Sequence, residues 1–242
     1  MNLQAVLFDL GSTLIYSREP WPPIYRQADR ALVAVLQGAG IPVAEGGFAA
    51  EYGTFMDLYY ARRDLGIGEP TSCAVLRQLL REKGFPSVPD TVLRSALDAE
   101  YAVLQTNWYA EEDAIPTLEA LQSRGYRLGM VSNTSDDRNV QQLVDRRGLR
   151  PFFEIIVTSA AVGIRKPDGR IFQVALDHFG LPPTQVAMVG DTPSADLEGA
   201  NRLGMFSIWI TRRAPDADPA IHPRASVAAL LEIPGLLDRM KP

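Results

Sequence analysis

The sequence is poor in the residues from which several kinds of functional site are built. Its 242 residues include one cysteine, Cys73, and two histidines, His178 and His222. A single cysteine excludes an intrachain disulfide, and two separated histidines without cysteine partners do not make a zinc site. This cysteine usage is typical of a reducing compartment, and we expect a cytoplasmic protein.

Long apolar runs and an excess of positive charge are also missing. No apolar run approaches the roughly 18 residues that a membrane span needs, and no signal-peptide pattern precedes the first predicted strand. The net charge is −5, which disfavours binding to nucleic acid or to an anionic membrane. We therefore expect neither a membrane nor a nucleic acid as a partner.

Strand and helix patterns alternate over most of the chain. Ala5–Phe8 is a short apolar run, typical of a strand that is buried on both faces. The later predicted strands are 127–131, 154–158, 186–189 and 206–210, and a short helix at 226–231 is predicted to close the chain. Helical patterns separate these strands, which predicts an α/β fold: a Rossmann-like parallel sheet with helices on both faces.

Residues 17–107 instead carry four consecutive helical patterns with no strand between them. Thr71 and Asp90 have the residue types and positions of N-caps for the third and fourth helices. We interpret this segment as an inserted α-helical cap domain over the carboxyl edge of the sheet. The predicted α/β core domain is then residues 1–16 and 108–242, and the predicted helical cap domain is residues 17–107.

Polar residues occur at the predicted strand ends or just before a helix. They are Asp9, Ser132-Asn133, Lys166, and Asp191 with Asp196. Each of them alone is equally well explained as a turn residue, a helix cap or a solvated charge. Because ligands of open α/β sheets bind beyond the carboxyl ends of the strands, the whole set indicates one site at that edge.

The order and spacing of these residues resemble the haloacid dehalogenase superfamily, in the subgroup with a helical cap inserted after the first motif. The four motifs are Phe8-Asp9-Leu10-Gly11-Ser12-Thr13, Val131-Ser132-Asn133, Lys166-Pro167, and Gly190-Asp191-Thr192-Pro193-Ser194-Ala195-Asp196. The resemblance covers nearly the whole chain and implies a hydrolase.

The resemblance also implies a role for each motif residue. Asp9 would be the nucleophile, and Ser132 and Lys166 would be catalytic residues that hold the phosphoryl oxygens. Mg²⁺ would be the cofactor, because an all-oxygen ligand set suits a hard cation. The implied metal ligands are Asp9, the carbonyl of Gly11, Asp191 and Asp196. The residues expected to bind the substrate and its phosphate are Gly11, Ser12, Thr13, Ser132, Asn133 and Lys166, with Arg18 and Trp21 at the hinge into the cap.

Gly11 departs from the family pattern. Phosphatases of the family usually carry a second Asp at this position as general acid and base, and such help contributes about 10²–10⁴-fold in rate. The resemblance thus implies a Mg²⁺-dependent phosphomonoester hydrolase that forms an aspartyl phosphate, at a rate that the missing carboxylate would lower. Its partner would be a small phosphorylated metabolite.

Two other functions stay open. A 2-haloacid dehalogenase-type hydrolase has a halide leaving group, which needs no proton, although dehalogenases of this family need no metal. The third interpretation is a catalytically weak metal-binding scaffold or interaction protein. The sequence leaves the substrate open, as well as the choice between a monomer and a homodimer.

Overall fold

The computed structural model describes residues 2–63, 70–213 and 220–240. Contacts divide the chain into two compact units. The first, here called the core unit, comprises Met1–Tyr16, Tyr109–Thr134 and Val144–Pro242. The second, the helical unit, comprises Ser17–Trp108 and Ser135–Leu143. The predicted domain boundaries differ from these mainly at 135–143, which the sequence analysis placed in the α/β core.

The core unit is built on a parallel sheet. The strands in the described residues are β1 (Ala5–Phe8), β2 (Ile15–Ser17), β3 (Trp108–Ala110), β4 (Arg127–Ser132), β5 (Ile155–Thr158), β6 (Val186–Gly190), β7 (Phe206–Ile210) and β8 (Ala225–Val227). Six of them form one sheet in the order β5-β4-β1-β6-β7-β8, and β2 pairs with β3. In the register of the central strands, Phe8 lies opposite Met130 of β4 and Val189 of β6. The carboxyl ends of β1, β4 and β6 therefore meet at one edge.

Helices occur in both units. They are α1 (Trp21–Gly38), α2 (Glu45–Arg63), α3 (Ser72–Glu82), α4 (Asp90–Leu104), α5 (Ala114–Ser123), α6 (Asp137–Arg146), α7 (Ser159–Val162), α8 (Gly169–Phe179), α9 (Glu198–Leu203) and α10 (Glu232–Asp238). All side chains of β1 are fully buried, so both faces of the sheet are covered. Phe172 and Leu176 of α8 belong to the same apolar cluster as Leu7 of β1, and α5 contacts β4. The predicted α/β fold is confirmed.

The helical unit contains α1 to α4, as the four helical patterns predict. Its apolar core includes Leu36 of α1, Leu76 of α3 and Leu97 of α4. Thr71 caps α3 as predicted, since its hydroxyl accepts a hydrogen bond from the Ala74 amide at 3.2 Å. The prediction for Asp90 is wrong, because the preceding proline is the N-cap and Asp90 lies in the first turn.

The predicted final helix at 226–231 is also wrong. Residues Ala225–Val227 form β8, which pairs with β7 and buries Val227, and the last described helix is α10. Pairing with a strand about fifteen residues earlier in the chain outweighs the local helical pattern here. Among the described helices, none has the length and apolar character that crossing a membrane requires.

Candidate active site

Asp9 lies at the carboxyl end of the central strand β1. Its amide donates a hydrogen bond to the carbonyl of Val189 at 2.9 Å, which extends the pairing of β1 with β6 by one residue. The carboxylate is largely buried and accepts a hydrogen bond from Lys166 Nζ at 2.6 Å. The fold thus places a buried carboxylate beside an ammonium at the edge where ligands of parallel sheets bind.

Lys166 uses each of its three ammonium protons within the core unit. Its Nζ donates to Asp9 Oδ1 at 2.6 Å, to Asp196 Oδ1 at 2.6 Å and to the carbonyl of Val131 at 2.7 Å. Burial alone would lower the pKa of Lys166, but the carboxylates of Asp196 and Asp9 outweigh it and hold this pKa above its ordinary value. Lys166 therefore stays charged, and its hydrogen bonds go to carboxylates and a carbonyl.

The two polar residues of the second predicted motif, Ser132 and Asn133, have different roles. The carboxamide of Asn133 accepts a hydrogen bond from the Lys166 amide at 2.8 Å and donates one to the Lys166 carbonyl at 3.1 Å. Asn133 thus orients the backbone of Lys166. Ser132 ends β4, and its hydroxyl has no hydrogen-bond partner within the described parts of the chain. That hydroxyl is free to bind a ligand.

Asp191 and Asp196 complete a group of three carboxylates. Asp9, Asp191 and Asp196 each offer one oxygen, and these oxygens lie within 4.8 Å of one another. Burial, and next the charge of Asp9, raise the pKa of Asp191 to about 7. Burial raises the pKa of Asp196 to about 6, although Lys166 opposes it. Three close carboxylates against one ammonium leave an excess of negative charge, so these residues fit a hard divalent cation.

Neighbouring residues hold the two later carboxylates in place. A side chain at Gly190 would overlap the carboxyl group of Asp196, so only glycine fits at the end of β6. The Thr192 amide donates to Asp196 Oδ2 at 3.1 Å. The indole of Trp209 donates to the carbonyl of Asp191 at 3.0 Å. Trp209 was not predicted as a site residue, because in the sequence it has the position of an ordinary strand residue and carries no signal of a role in the site.

The loop after Asp9 is a tight turn. The amides of Leu14 and Ile15 both donate to the carbonyl of Leu10, at 2.9 and 3.0 Å. Ser12 has a φ of 57°, an uncommon left-handed conformation for a residue other than glycine. The Thr13 hydroxyl is buried and without a partner in the described residues. The carbonyl of Gly11 as a metal ligand, and substrate contacts of Gly11, Ser12 and Thr13, stay predictions.

Arg18 and Trp21 belong to the helical unit. Arg18 is exposed, and its amide donates to the carbonyl of Asn107 at 3.3 Å. The ring of Trp21 stacks on Tyr25, with centroids 5.3 Å apart, and meets Trp108 at 5.2 Å. Their predicted contact with the substrate stays a prediction.

Comparison with known proteins gives a family match and named relatives. The model of the haloacid dehalogenase-like hydrolases matches residues 3–204. The chain is 28% identical to glyceraldehyde 3-phosphate phosphatase from Methanopyrus kandleri, over 90% of this chain and 88% of that protein. It is 30% identical to haloacid dehalogenase-like hydrolase domain-containing protein 3 from Mus musculus, over 100% of this chain and 98% of that protein.

A solved structure is also similar to the whole chain. The 2-haloacid dehalogenase from Pseudomonas syringae pv. Tomato DC3000 matches with a TM-score of 0.71 and 25% identity, covering 99% of this chain and 100% of that one. The family match spans most of the chain and includes all four motifs. The chain belongs to the haloacid dehalogenase-like hydrolases.

Proposed function

We propose that the protein is a Mg²⁺-dependent phosphomonoester hydrolase that acts on a small phosphorylated metabolite. The observation that supports this most is the group of three close carboxylates against the single ammonium of Lys166. A divalent cation would balance that charge, and an anionic phosphate ester would then be able to approach Asp9. The relative named glyceraldehyde 3-phosphate phosphatase is consistent with such a substrate.

In the proposed reaction, Asp9 attacks the phosphorus of the ester. The bond from phosphorus to the leaving oxygen breaks, the leaving oxygen takes up a proton from solvent water, and an aspartyl phosphate forms on Asp9. A water molecule then attacks the phosphorus and gives up a proton to solvent, the bond from phosphorus to the Asp9 oxygen breaks, and phosphate and the free Asp9 carboxylate result. Lys166 holds Asp9 in place and offsets its repulsion from the ester, while the hydroxyl of Ser132 donates to a phosphoryl oxygen.

The remaining elements of the proposal rest on the family resemblance. Asp9, Asp191, Asp196 and the carbonyl of Gly11 would hold Mg²⁺, which supplies positive charge at the phosphate when it is bound. Gly11 carries no carboxylic acid to protonate the leaving group, so we expect slow turnover. Residues 17–107 would act as a substrate-selecting cap, with Arg18 and Trp21 among its contacts.

Phosphate release from p-nitrophenyl phosphate and from a panel of metabolite phosphates, with Mg²⁺ or with a chelator, tests the proposal. We expect Mg²⁺-dependent release that Asp9→Asn lowers by about 10³-fold or more. Asp177→Asn, on the exposed side of α8, is the matched control and should hydrolyse like the wild type. Gly11→Asp should raise the rate, by up to about 10²-fold. Absence of release from the wild type, with and without metal, would contradict the proposal.

A 2-haloacid dehalogenase activity is the second candidate. It is favoured by the likeness to the Pseudomonas syringae structure and by Gly11, because a halide leaves without a proton. Halide release from 2-chloropropionate, measured with and without a chelator, separates the two functions. Release that persists with the chelator, together with no phosphate release, would select the dehalogenase.

A further inference from the structure

Three buried hydroxyl groups meet inside the helical unit. Ser72 Oγ lies 2.6 Å from Tyr101 Oη and donates to Ser135 Oγ at 2.8 Å. The main chains of the same two residues are also hydrogen-bonded, because the Ser72 amide donates to the carbonyl of Ser135 at 2.8 Å. Ser72 at the start of α3 and Tyr101 of α4 therefore hold Ser135 by both its side chain and its main chain.

The residue after Ser135 is held as well. Arg94 of α4 donates to Asp136 Oδ2 at 2.6 Å, and Asp136 Oδ1 accepts from the Asn139 amide at 2.8 Å. Asp136 therefore caps the start of α6 while it pairs with Arg94. Hydrogen bonds of α3 and α4 thus fix two consecutive residues, Ser135 and Asp136.

The residues just before Ser135 are fixed within the core unit. The Thr134 amide donates to Ser159 Oγ at 2.8 Å, and that hydroxyl donates to the carbonyl of Thr134 at 3.0 Å. Asn133 is bound to the backbone of Lys166. The chain passes from the core unit to the helical unit between Thr134 and Ser135, within three residues of Ser132.

We propose that Ser72, Tyr101 and Arg94 are positioning residues for Ser132, and that they act by holding Ser135 and Asp136. This inference rests on the proposed function, in which Ser132 binds the phosphoryl group. A chain fixed on both sides of a short loop leaves the loop little conformational freedom. When the hydrogen bonds to Ser135 and Asp136 are lost, the segment is restrained from the core side alone, so the hydroxyl of Ser132 gains freedom although no group that contacts substrate has changed.

Two variants with one matched control test the proposal. Tyr101→Phe and Ser72→Ala each remove one hydroxyl of the cluster. Tyr52→Phe is the control, because it removes another buried phenol hydroxyl of the helical unit, which donates to Glu100 at 3.3 Å. The measurements are residue-resolved amide exchange at 132–136, KM and kcat for p-nitrophenyl phosphate, and the inhibition constant of inorganic phosphate.

In both cluster variants we expect faster amide exchange at 132–134 and an inhibition constant for phosphate that rises about fivefold, the factor that one hydrogen bond contributes. KM should rise in parallel, with a smaller change in kcat, and Tyr52→Phe should show neither effect. Exchange that rises only at 135 and 136, or that is no faster at 132–134 than in Tyr52→Phe, would overturn the proposal. If the wild type neither hydrolyses p-nitrophenyl phosphate nor binds phosphate, the proposed function fails, and the exchange data still decide whether the cluster fixes Ser132.

Discussion

One buried acidic site in each unit shows a different way of neutralising a carboxylate. In the core unit, Asp9 and Asp196 share the ammonium of Lys166. In the helical unit, Glu100 accepts a hydrogen bond from Tyr52, and burial, with a contribution from Asp29, raises its pKa to about 8. Glu100 is therefore protonated at neutral pH. Glu100, which has no buried ammonium as a partner in the described residues, keeps its proton, whereas the ammonium of Lys166 favours the charged form of Asp196.

The largest expected effect comes from removing the core cation. Lys166→Met leaves Asp9 and Asp196 without their shared partner, so that they, like Glu100, have no buried ammonium beside them in the part of the chain that the structure describes. We expect turnover of p-nitrophenyl phosphate to fall by about 10³-fold or more. Breaking a buried ion pair also costs about 3–5 kcal/mol in free energy of unfolding. Phosphate release and urea denaturation measure the two effects.

Lys83→Met is the matched control, since the ammonium of Lys83 pairs with Glu51 on the exposed surface of the helical unit. Exposed ion pairs contribute about 0–1 kcal/mol, so stability should change little and turnover should not change. If Lys166→Met retained most of the activity, Lys166 would have no role in charge balance at the site.

A smaller effect is expected from Gly190→Ala. The added methyl group would overlap the carboxyl group of Asp196 and force it to move. Misplacing a catalytic group by about 1 Å can lower rates by about 10²-fold, and we expect a loss of that size in phosphate release.

Gly53→Ala, in α2, is the control. A side chain there meets no atom within 4 Å, so activity should be unchanged and stability should rise by up to about 1 kcal/mol. Wild-type activity in Gly190→Ala would show that Asp196 need not stay where it is.

Local patterns in the sequence predict much of the fold and of the site. The apolar run of β1 and the position of Asp9 after it are visible within a few residues, since a buried strand and its end leave a local signal. The same holds for Asp191 after β6. These carboxylates were predicted to meet because parallel strands bring their carboxyl ends to one edge.

Features that depend on distant partners could not be predicted in this way. Asn133 binds the backbone of a residue 33 positions later, and Ser135 binds one 63 positions earlier. β8 forms only because β7 offers an edge for pairing. In each case the residue type is compatible with several partners, and tertiary packing selects one of them.

The smallest expected effect concerns the buried acid of the helical unit. The pKa of Glu100 is about 8 in the folded protein against an ordinary value of 4.5. Between these values the folded state holds one more proton than the unfolded state, so stability falls as pH rises, by at most about 1.4 kcal/mol per pH unit. Glu100→Gln has no ionisable group at this position and therefore lacks this fall in stability. Its stability relative to the wild type should therefore increase by about 3 kcal/mol between pH 5 and pH 8 in urea denaturation followed by circular dichroism. Glu82→Gln, with an exposed side chain on α3, should follow the wild type at both pH values. Parallel pH profiles for Glu100→Gln and the wild type would show that Glu100 is buried as an anion, and the two units would then not differ in this respect.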